Sequence, residues 1–192
     1  EILNNEDIDI VVEMLGGIEP ATSFMLQAMK NGKHVISANK AAIAANYDEL
    51  VKTAKENNVE FLFEASVAGG IPVLTAITNA LQANKFVEVM GVLNGTTNYI
   101  LTKMTEEGLA YEDVLKDAQE KGFAEADPTA DVEGIDAANK LSILMALCFD
   151  KYVAPDQIPT TGISKITADD IKAATEAGKK IKLIGRAVLK DG

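Results

Sequence analysis

"IDIVVEMLGGIEPATSFMLQAMKNGKHVIS", residues 8–37, decides the fold. It opens on the apolar run "IDIVVEML", of the kind that fills a central strand of a parallel sheet. Gly16-Gly17 ends the run, and Pro20 stands where a helix accepts its first residue, because the N–H that proline lacks is unpaired there anyway. The helix closes at Gly32 and "KHVIS" reads as a second strand. Outward from this unit the pattern repeats. "ANYDELVKTAKENN" is an amphipathic helix with an Asn-rich stop, and "VEFLFEAS" is a third strand. Strands alternating with helices of this length imply parallel strands joined by crossovers, hence a doubly wound α/β sheet. Such sheets bind ligands beyond the carboxyl ends of their strands. The loops at those ends are "GGIEP" (16–20), "SANK" (37–40) and "EASVAGGIP" (64–72).

The remainder reads differently. "IPVLTAITNALQANK" is expected to be a helix, "FVEVMGVLN" a strand, and "TTNYILTKMTEEG" a helix capped by its first Thr. The charged helix "YEDVLKDAQEKG", a helix over residues 135–149, the Thr-capped helix "TADDIKAATEAGKK" and the strand "IKLIGRAVLK" follow. This is an α+β arrangement, which places a domain boundary near residue 66: 1–65 nucleotide-sheet-like, 66–192 a second domain. The chain starts without Met almost directly in a strand, and stops just after another in the turn signal Asp191-Gly192. Both ends look cut from something longer.

Composition narrows the classes. A net charge of -11 argues against a nucleic-acid partner, because neutralising phosphates needs a basic surface. No uninterrupted apolar stretch is long enough to span a membrane, and the N-terminus lacks a signal-peptide pattern. The single cysteine, Cys148, makes no internal disulfide and fits a reducing, cytoplasmic setting. In "LSILMALCF" it reads as a buried core residue rather than the nucleophile of an acylating enzyme. With one histidine, His34, no transition-metal ligand set is visible.

Chemistry concentrates in "FAEADPTADVEGIDAANKL" (123–141), where Glu125, Asp127, Asp131, Glu133 and Asp136 crowd ahead of Lys140. Asp136 and Lys140 are four apart and share a helix face. Such a pair is often only a surface ion pair. Here the helix runs on into "LSILMALCF", so the lysine is partly desolvated and suited to proton transfer. Lys40 opens a helix, where a cation is disfavoured, and that favours a role beyond solvation. "NGTTN" (94–98) reads as an N-capped turn, and Gly122 as a helix C-cap.

"GVLNGTTNYILTKM" (91–104) followed by "GFAEADPTADVEGIDAANKL" (122–141) closely resembles homoserine dehydrogenase, and "GGIEPA", "VISANKAAIA" and "EASVAGGIPVL" fit the same family in the same order. The family's N-terminal Gly-rich nucleotide loop is missing from the chain. The resemblance implies the latter part of a Rossmann-like dinucleotide-binding domain followed by an α+β substrate-binding and dimerisation domain. It implies interconversion of L-aspartate 4-semialdehyde and L-homoserine with NAD or NADP, on the route to threonine, methionine and isoleucine. Lys140 would donate the proton to the aldehyde oxygen. Asp136 would hold substrate and orient that lysine, Glu125 would bind the substrate ammonium, and Asp131 would line the same pocket. Lys40 and Gly122 would lie at the cofactor. The carbonyls of Glu64, Val67, Gly69 and Ile71 would hold a sodium ion; without the resemblance that loop is simply a Gly-Gly turn before a Pro-started helix. The family also implies a homodimer. As an isolated chain of 192 residues the protein is expected to be inactive and to bind NAD(P) poorly, since no Gly-rich loop remains to meet the pyrophosphate. A non-catalytic binding or assembly module that keeps the fold is the alternative.

Overall fold

Three short parallel strands organise the N-terminal part. A computed structural model of the chain describes residues 1–190. Strand β1 (Ile10–Glu13) pairs with β2 (His34–Ser37), and β2 pairs with β3 (Phe61–Leu62), in the order β1-β2-β3. Helix α1 (Ala21–Lys30) makes the first crossover; α2 (Lys40–Ala45) and α3 (Tyr47–Glu56) make the second. The alternation of strand and helix expected over residues 8–66 is therefore present, with Pro20 at the N-cap of α1 rather than inside it.

Burial along the strands is one-sided. Val11, Val35 and Phe61 pack with Met25, Met29 and Leu50 of α1 and α3 into one core. On the opposite face Ile10 and Val12 are each 54% exposed, and Ile36 and Leu62 are exposed as well. The run "IDIVVEML" is thus not buried on both faces as expected of a central strand: among the described residues helices cover one side only.

The strand expected over "VEFLFEAS" stops after Leu62, and Glu64–Ser66 turns in a 3-10 coil. The helix expected over "IPVLTAITNALQANK" is also interrupted. It starts as α4 (Val73–Thr75) and continues as a π-helical turn over Ala76–Ala80, closed by Leu81 N–H donating to the Ala76 carbonyl at 2.9 Å. The Thr78 hydroxyl donates to the Leu74 carbonyl at 3.0 Å within this segment.

Beyond these lie β4 (Glu88–Gly91), α5 (Gly95–Glu107), α6 (Tyr111–Glu120), α7 (Thr129–Val132), α8 (Ile135–Phe149), α9 (Ala168–Glu176) and β5 (Gly185–Val188), with β4 and β5 forming a two-stranded sheet. The turn expected at Asp191-Gly192 lies outside the described residues. Thr167 caps α9 as expected, and Asp170 adds a reciprocal bond that closes a capping box. Two compact units result. One takes residues 1–89, 139–157 and the described residues from 188 onward; the other takes 90–138 and 158–187. The second has its own core, in which Ile100, Leu101 and Met104 of α5 meet Val114 and Ala118 of α6, Val132 of α7, and Ile163 and Ile171. Their spacing of three and four along α5 and α6 is what an apolar helix stripe requires.

Candidate active site

The acidic segment is built on the second unit's core by a series of side-chain ties. After α6 the chain turns through Gly122 (φ +75°). Gln119 of α6 donates its side-chain amide to the carbonyls of Glu125 (3.1 Å) and Ala126 (3.4 Å), and the Thr96 hydroxyl donates to the Phe123 carbonyl at 2.8 Å. Asp127 then accepts from the Thr129 N–H and hydroxyl at 3.1 and 2.6 Å, starting α7. Gly134, at φ +82°, makes the joint between α7 and α8 in a conformation that a Cβ would strain. Two helices meeting at this joint bring Asp131 and Asp136 to the same partner. The Asn94 side-chain amide donates to Asp131 Oδ1 at 2.6 Å and to Asp136 Oδ2 at 2.8 Å. Its own oxygen accepts from the Thr97 N–H at 2.8 Å and the Thr97 hydroxyl at 2.9 Å. Asn94, Thr97 and Asp136 are buried.

Asp131 and Asp136 are therefore convergent. Lys140 stands one helical turn beyond Asp136 on α8, half-buried, with Leu141, Ser142, Ile143 and Leu144 buried immediately after it. Glu125 lies on the tied loop with its side chain exposed. Asn94 is the residue that sequence reasoning misses. "NGTTN" is expected to be a capped turn with the helix starting on Thr96. The cap is Asn94 instead, and its second function, gathering two carboxylates from 37 and 42 residues away, has no local signature.

A charged clasp holds α6 against α5 beside this loop. Asp117 accepts from Lys121 at 2.7 Å, from the Tyr99 hydroxyl at 2.5 Å and from Lys103 at 3.3 Å. The ring of Tyr99 lies 4.8 Å from that of Phe123. Lys121 first, then the Tyr99 hydroxyl, hold the Asp117 carboxyl well below the ordinary carboxylate range, and the same contact pushes the Lys121 ammonium up. The sign follows from linkage. A depressed carboxyl contributes stability that is complete above its ordinary value of 3.8 and is lost as pH falls through the folded-state value. Asp117→Asn is accordingly expected to melt below the parent at neutral pH, with the gap narrowing as the medium is acidified below about pH 4. Thermal melts across that range check it; a gap constant with pH removes the clasp as its source.

In the first unit the loops at the carboxyl ends of the strands are joined by one buried carboxylate. Glu13, at the end of β1, accepts from the Ser37 hydroxyl (2.6 Å), the Leu15 N–H (2.7 Å) and the Asn39 amide (3.4 Å). The Asn39 amide also donates to the Gly17 carbonyl at 2.7 Å, and its oxygen accepts from Ala42 N–H, capping α2, whose first residue is Lys40. The other end of α2 is held by the Tyr152 hydroxyl, which donates to the Ala44 and Ala45 carbonyls at 2.8 and 3.1 Å. Tyr152 stacks on Tyr47, whose hydroxyl is pushed up to about 12 by burial, with Asp48 and Asp150 adding to it. Lys40 thus starts a helix fixed at both ends, directly after a strand.

In "EASVAGGIP" the chain bends through positive φ at Ala68 and Gly69. The Glu64 carboxylate accepts from Leu74 N–H (3.0 Å), Thr75 N–H (2.7 Å) and the Thr75 hydroxyl (2.6 Å), so it caps α4. Burial raises the Glu64 carboxyl, and the bonds from Thr75 and Leu74 outweigh it, leaving it lowered. Its side chain is committed to the helix, its carbonyl accepts from the Val67 N–H at 3.4 Å, and the Ile71 carbonyl accepts from the Val73 N–H at 2.8 Å. Among the described residues no cluster of His, Cys, Asp and Glu could hold a metal through side chains, and His34 Nδ1 accepts from the Glu60 N–H. Cys148 is half-buried rather than fully buried, with its thiol pushed up by burial, the opposite of an activated nucleophile. No helix among the described residues is long and apolar enough to cross a membrane.

A parallel sheet with loops gathered at its strand ends, and a carboxylate site built on separate helices, is the organisation of a dinucleotide-binding α/β domain followed by an α+β catalytic domain. The comparisons make the class specific. A family model described as "Homoserine dehydrogenase, NAD binding domain" matches residues 1–64, and one described as "Homoserine dehydrogenase" matches residues 72–190. Homoserine dehydrogenase of Bacillus subtilis is 46% identical over 97% of this chain, and that of Pseudomonas aeruginosa 48% over the same share. The crystal structure of a homoserine dehydrogenase from Thiobacillus denitrificans superposes with a TM-score of 0.96 at 46% identity, over 99% of this chain and 44% of that one. A hyperthermophilic archaeal homoserine dehydrogenase in complex with NADPH matches at a TM-score of 0.80 and 30% identity, over 94% of this chain and 52% of that one. The chain belongs to the homoserine dehydrogenase family. It spans 43% of the length of each of these two curated relatives.

Proposed function

We propose that the protein carrying this chain interconverts L-aspartate 4-semialdehyde and L-homoserine with NAD or NADP as cofactor, in the biosynthesis of threonine, methionine and isoleucine. The observation that carries the reading is the convergence of Asp131 and Asp136 on Asn94, one turn before Lys140, in a chain of this family. The substrate is small and carries an ammonium and a carbonyl. Glu125 pairs with the ammonium through a charge-assisted contact, and Asp131 lines the same pocket. Asp136 holds the substrate and orients Lys140. In the reducing direction the aldehyde carbon gains a hydride and its oxygen gains a proton. The nicotinamide supplies the hydride when bound. Lys140 supplies the proton and, as an ammonium, favours the negative charge growing on that oxygen.

The fit of the cofactor to this chain is supported by where Lys40 stands: immediately past β2, on a helix fixed at both ends, on the side of a parallel sheet where ligands bind. Lys40 and Gly122 are the residues that would hold it. A sodium ion on the carbonyls of Glu64, Val67, Gly69 and Ile71 is supported by the tight bend at Ala68-Gly69, and by oxygen being the ligand such ions prefer. We also propose a homodimer through the sheet of the catalytic part, supported by exposed Met90 on β4 and Val188 on β5, and a cytoplasmic setting, supported by the single free cysteine.

The test is homoserine oxidation with NAD and with NADP, by this chain and by a polypeptide extending it at both ends to the relatives' length. Turnover by the extended form alone is the expected result. An extended, folded form that turns over neither homoserine nor aspartate semialdehyde would end the reading.

A further inference from the structure

Capping explains half of what Asn94 does. Its oxygen accepts from Thr97 N–H at the start of α5, and Ser, Thr or Asp would do the same. The other half, an amide nitrogen shared by two carboxylates, is not needed by any cap. A side-chain amide has two N–H donors and an oxygen with two lone pairs. Here both donors are taken, by Asp131 at 2.6 Å and Asp136 at 2.8 Å, and both lone pairs are taken by the Thr97 N–H and hydroxyl. The amide cannot be turned over: that would set its oxygen against two carboxylates and its NH₂ against the Thr97 N–H.

We infer that Asn94 is a positioning residue, whose buried amide fixes the separation and the orientation of Asp131 and Asp136. Two carboxylates on separate helices repel one another, and the packing around the joint at Gly134 places their helices without fixing their side chains. The shared amide fixes them, through two short charge-assisted bonds that leave the second oxygen of each acid for other partners. Asp at this position keeps the cap but offers no donor and adds a third charge. Ser keeps the cap and offers a single donor.

The bridge itself stands on geometry, while its consequence for turnover rests on the proposed function. Two measurements separate them. In this chain, scalar couplings through the hydrogen bonds from the Asn94 amide nitrogen to the carboxyl carbons of Asp131 and Asp136 are expected in NMR spectra. Asp131→Asn and Asp136→Asn should each displace a different one of the two amide protons. An Asn94 amide with no coupling to either acid, and unmoved by both substitutions, overturns the bridge with no variant of Asn94 required. In the extended protein, N94S should keep the helix cap and melt near the parent, whereas N94D, which keeps the cap but sets a third carboxylate against two, should melt below it. Their kcat/KM for homoserine should fall about tenfold and about a hundredfold respectively, the scale of a misplacement of about 1 Å in a reacting site. Values within twofold of the parent reduce Asn94 to a cap. An intact bridge in an extended protein that never turns over homoserine refutes the proposed function and leaves the bridge standing.

Discussion

Replacing Lys140 by Ala in the extended protein is expected to lower homoserine turnover by about 10²–10⁴-fold, the range that a positioned proton donor contributes. The expectation rests on where the lysine stands. It is half-buried at the point where α8 passes from the carboxylate turn into the buried residues Leu141–Leu144, one turn from Asp136. At that position an ammonium is partly desolvated and has an acid on the same helix face. Lys140→Arg separates the two functions assigned to it. Arginine keeps the positive charge but does not release its proton in proteins, so turnover is expected to stay low if Lys140 works as an acid and to recover largely if it works only as a charge. Circular dichroism and melts of both variants should match the parent. Near-normal turnover in Lys140→Ala would remove the lysine from the proton route and make Lys40 the next residue to replace.

How much of such a site is legible in the amino-acid sequence depends on the range of the interactions that build it. The parallel sheet is legible because alternation of strand and helix is a local pattern. The Thr167–Asp170 box and the stripe of Tyr111, Val114 and Ala118 are local as well. What escapes a local reading is long-range. "VEFLFEAS" has strand composition throughout, but Glu64 turns away to cap a helix ten residues on, and the strand ends at Leu62. The helix after Pro72 looks continuous in composition, yet a π-turn follows its first turn. At the site, the spacing of Asp136 and Lys140 is visible as one face of one helix. The convergence of Asp131 on Asp136 is not, because it depends on Asn94, and the tie between the loops after β1 and β2 depends on Glu13. Glu13 does leave a trace: a carboxylate inside an apolar strand run has to find donors if it is buried, and it finds three.

The largest stability effect is expected from a residue with no polar role at all. Gly162 lies against the joint between α7 and α8. A Cβ there would sit 2.5 Å from the Val132 carbonyl oxygen and from Glu133 Oε2, and 2.7 Å from Glu133 Cα. The Glu133 side chain can swing aside, but the two backbone atoms cannot, because the neighbouring Ile163 N–H donates to that same Val132 carbonyl at 2.7 Å and draws the segments together. Gly162→Ala must therefore push the Val132–Gly134 joint away, at a cost of about 3 kcal/mol or more, the upper range of overpacking. For a chain of this size that lowers the melting temperature by roughly 6–12 °C. Gly178→Ala is the control: nothing lies within 4 Å of its Cβ, and its only burden is φ +67°, a backbone cost of about 1–2 kcal/mol. The joint carries Asp131 on one side and Asp136 on the other, so the same displacement should separate the two acids and break the Asn94 bridge in the NMR spectrum before the protein unfolds. A Gly162→Ala chain that melts within about two degrees of the parent and keeps both hydrogen-bond couplings would show that the joint yields freely, and that the two carboxylates are not held by the packing behind them.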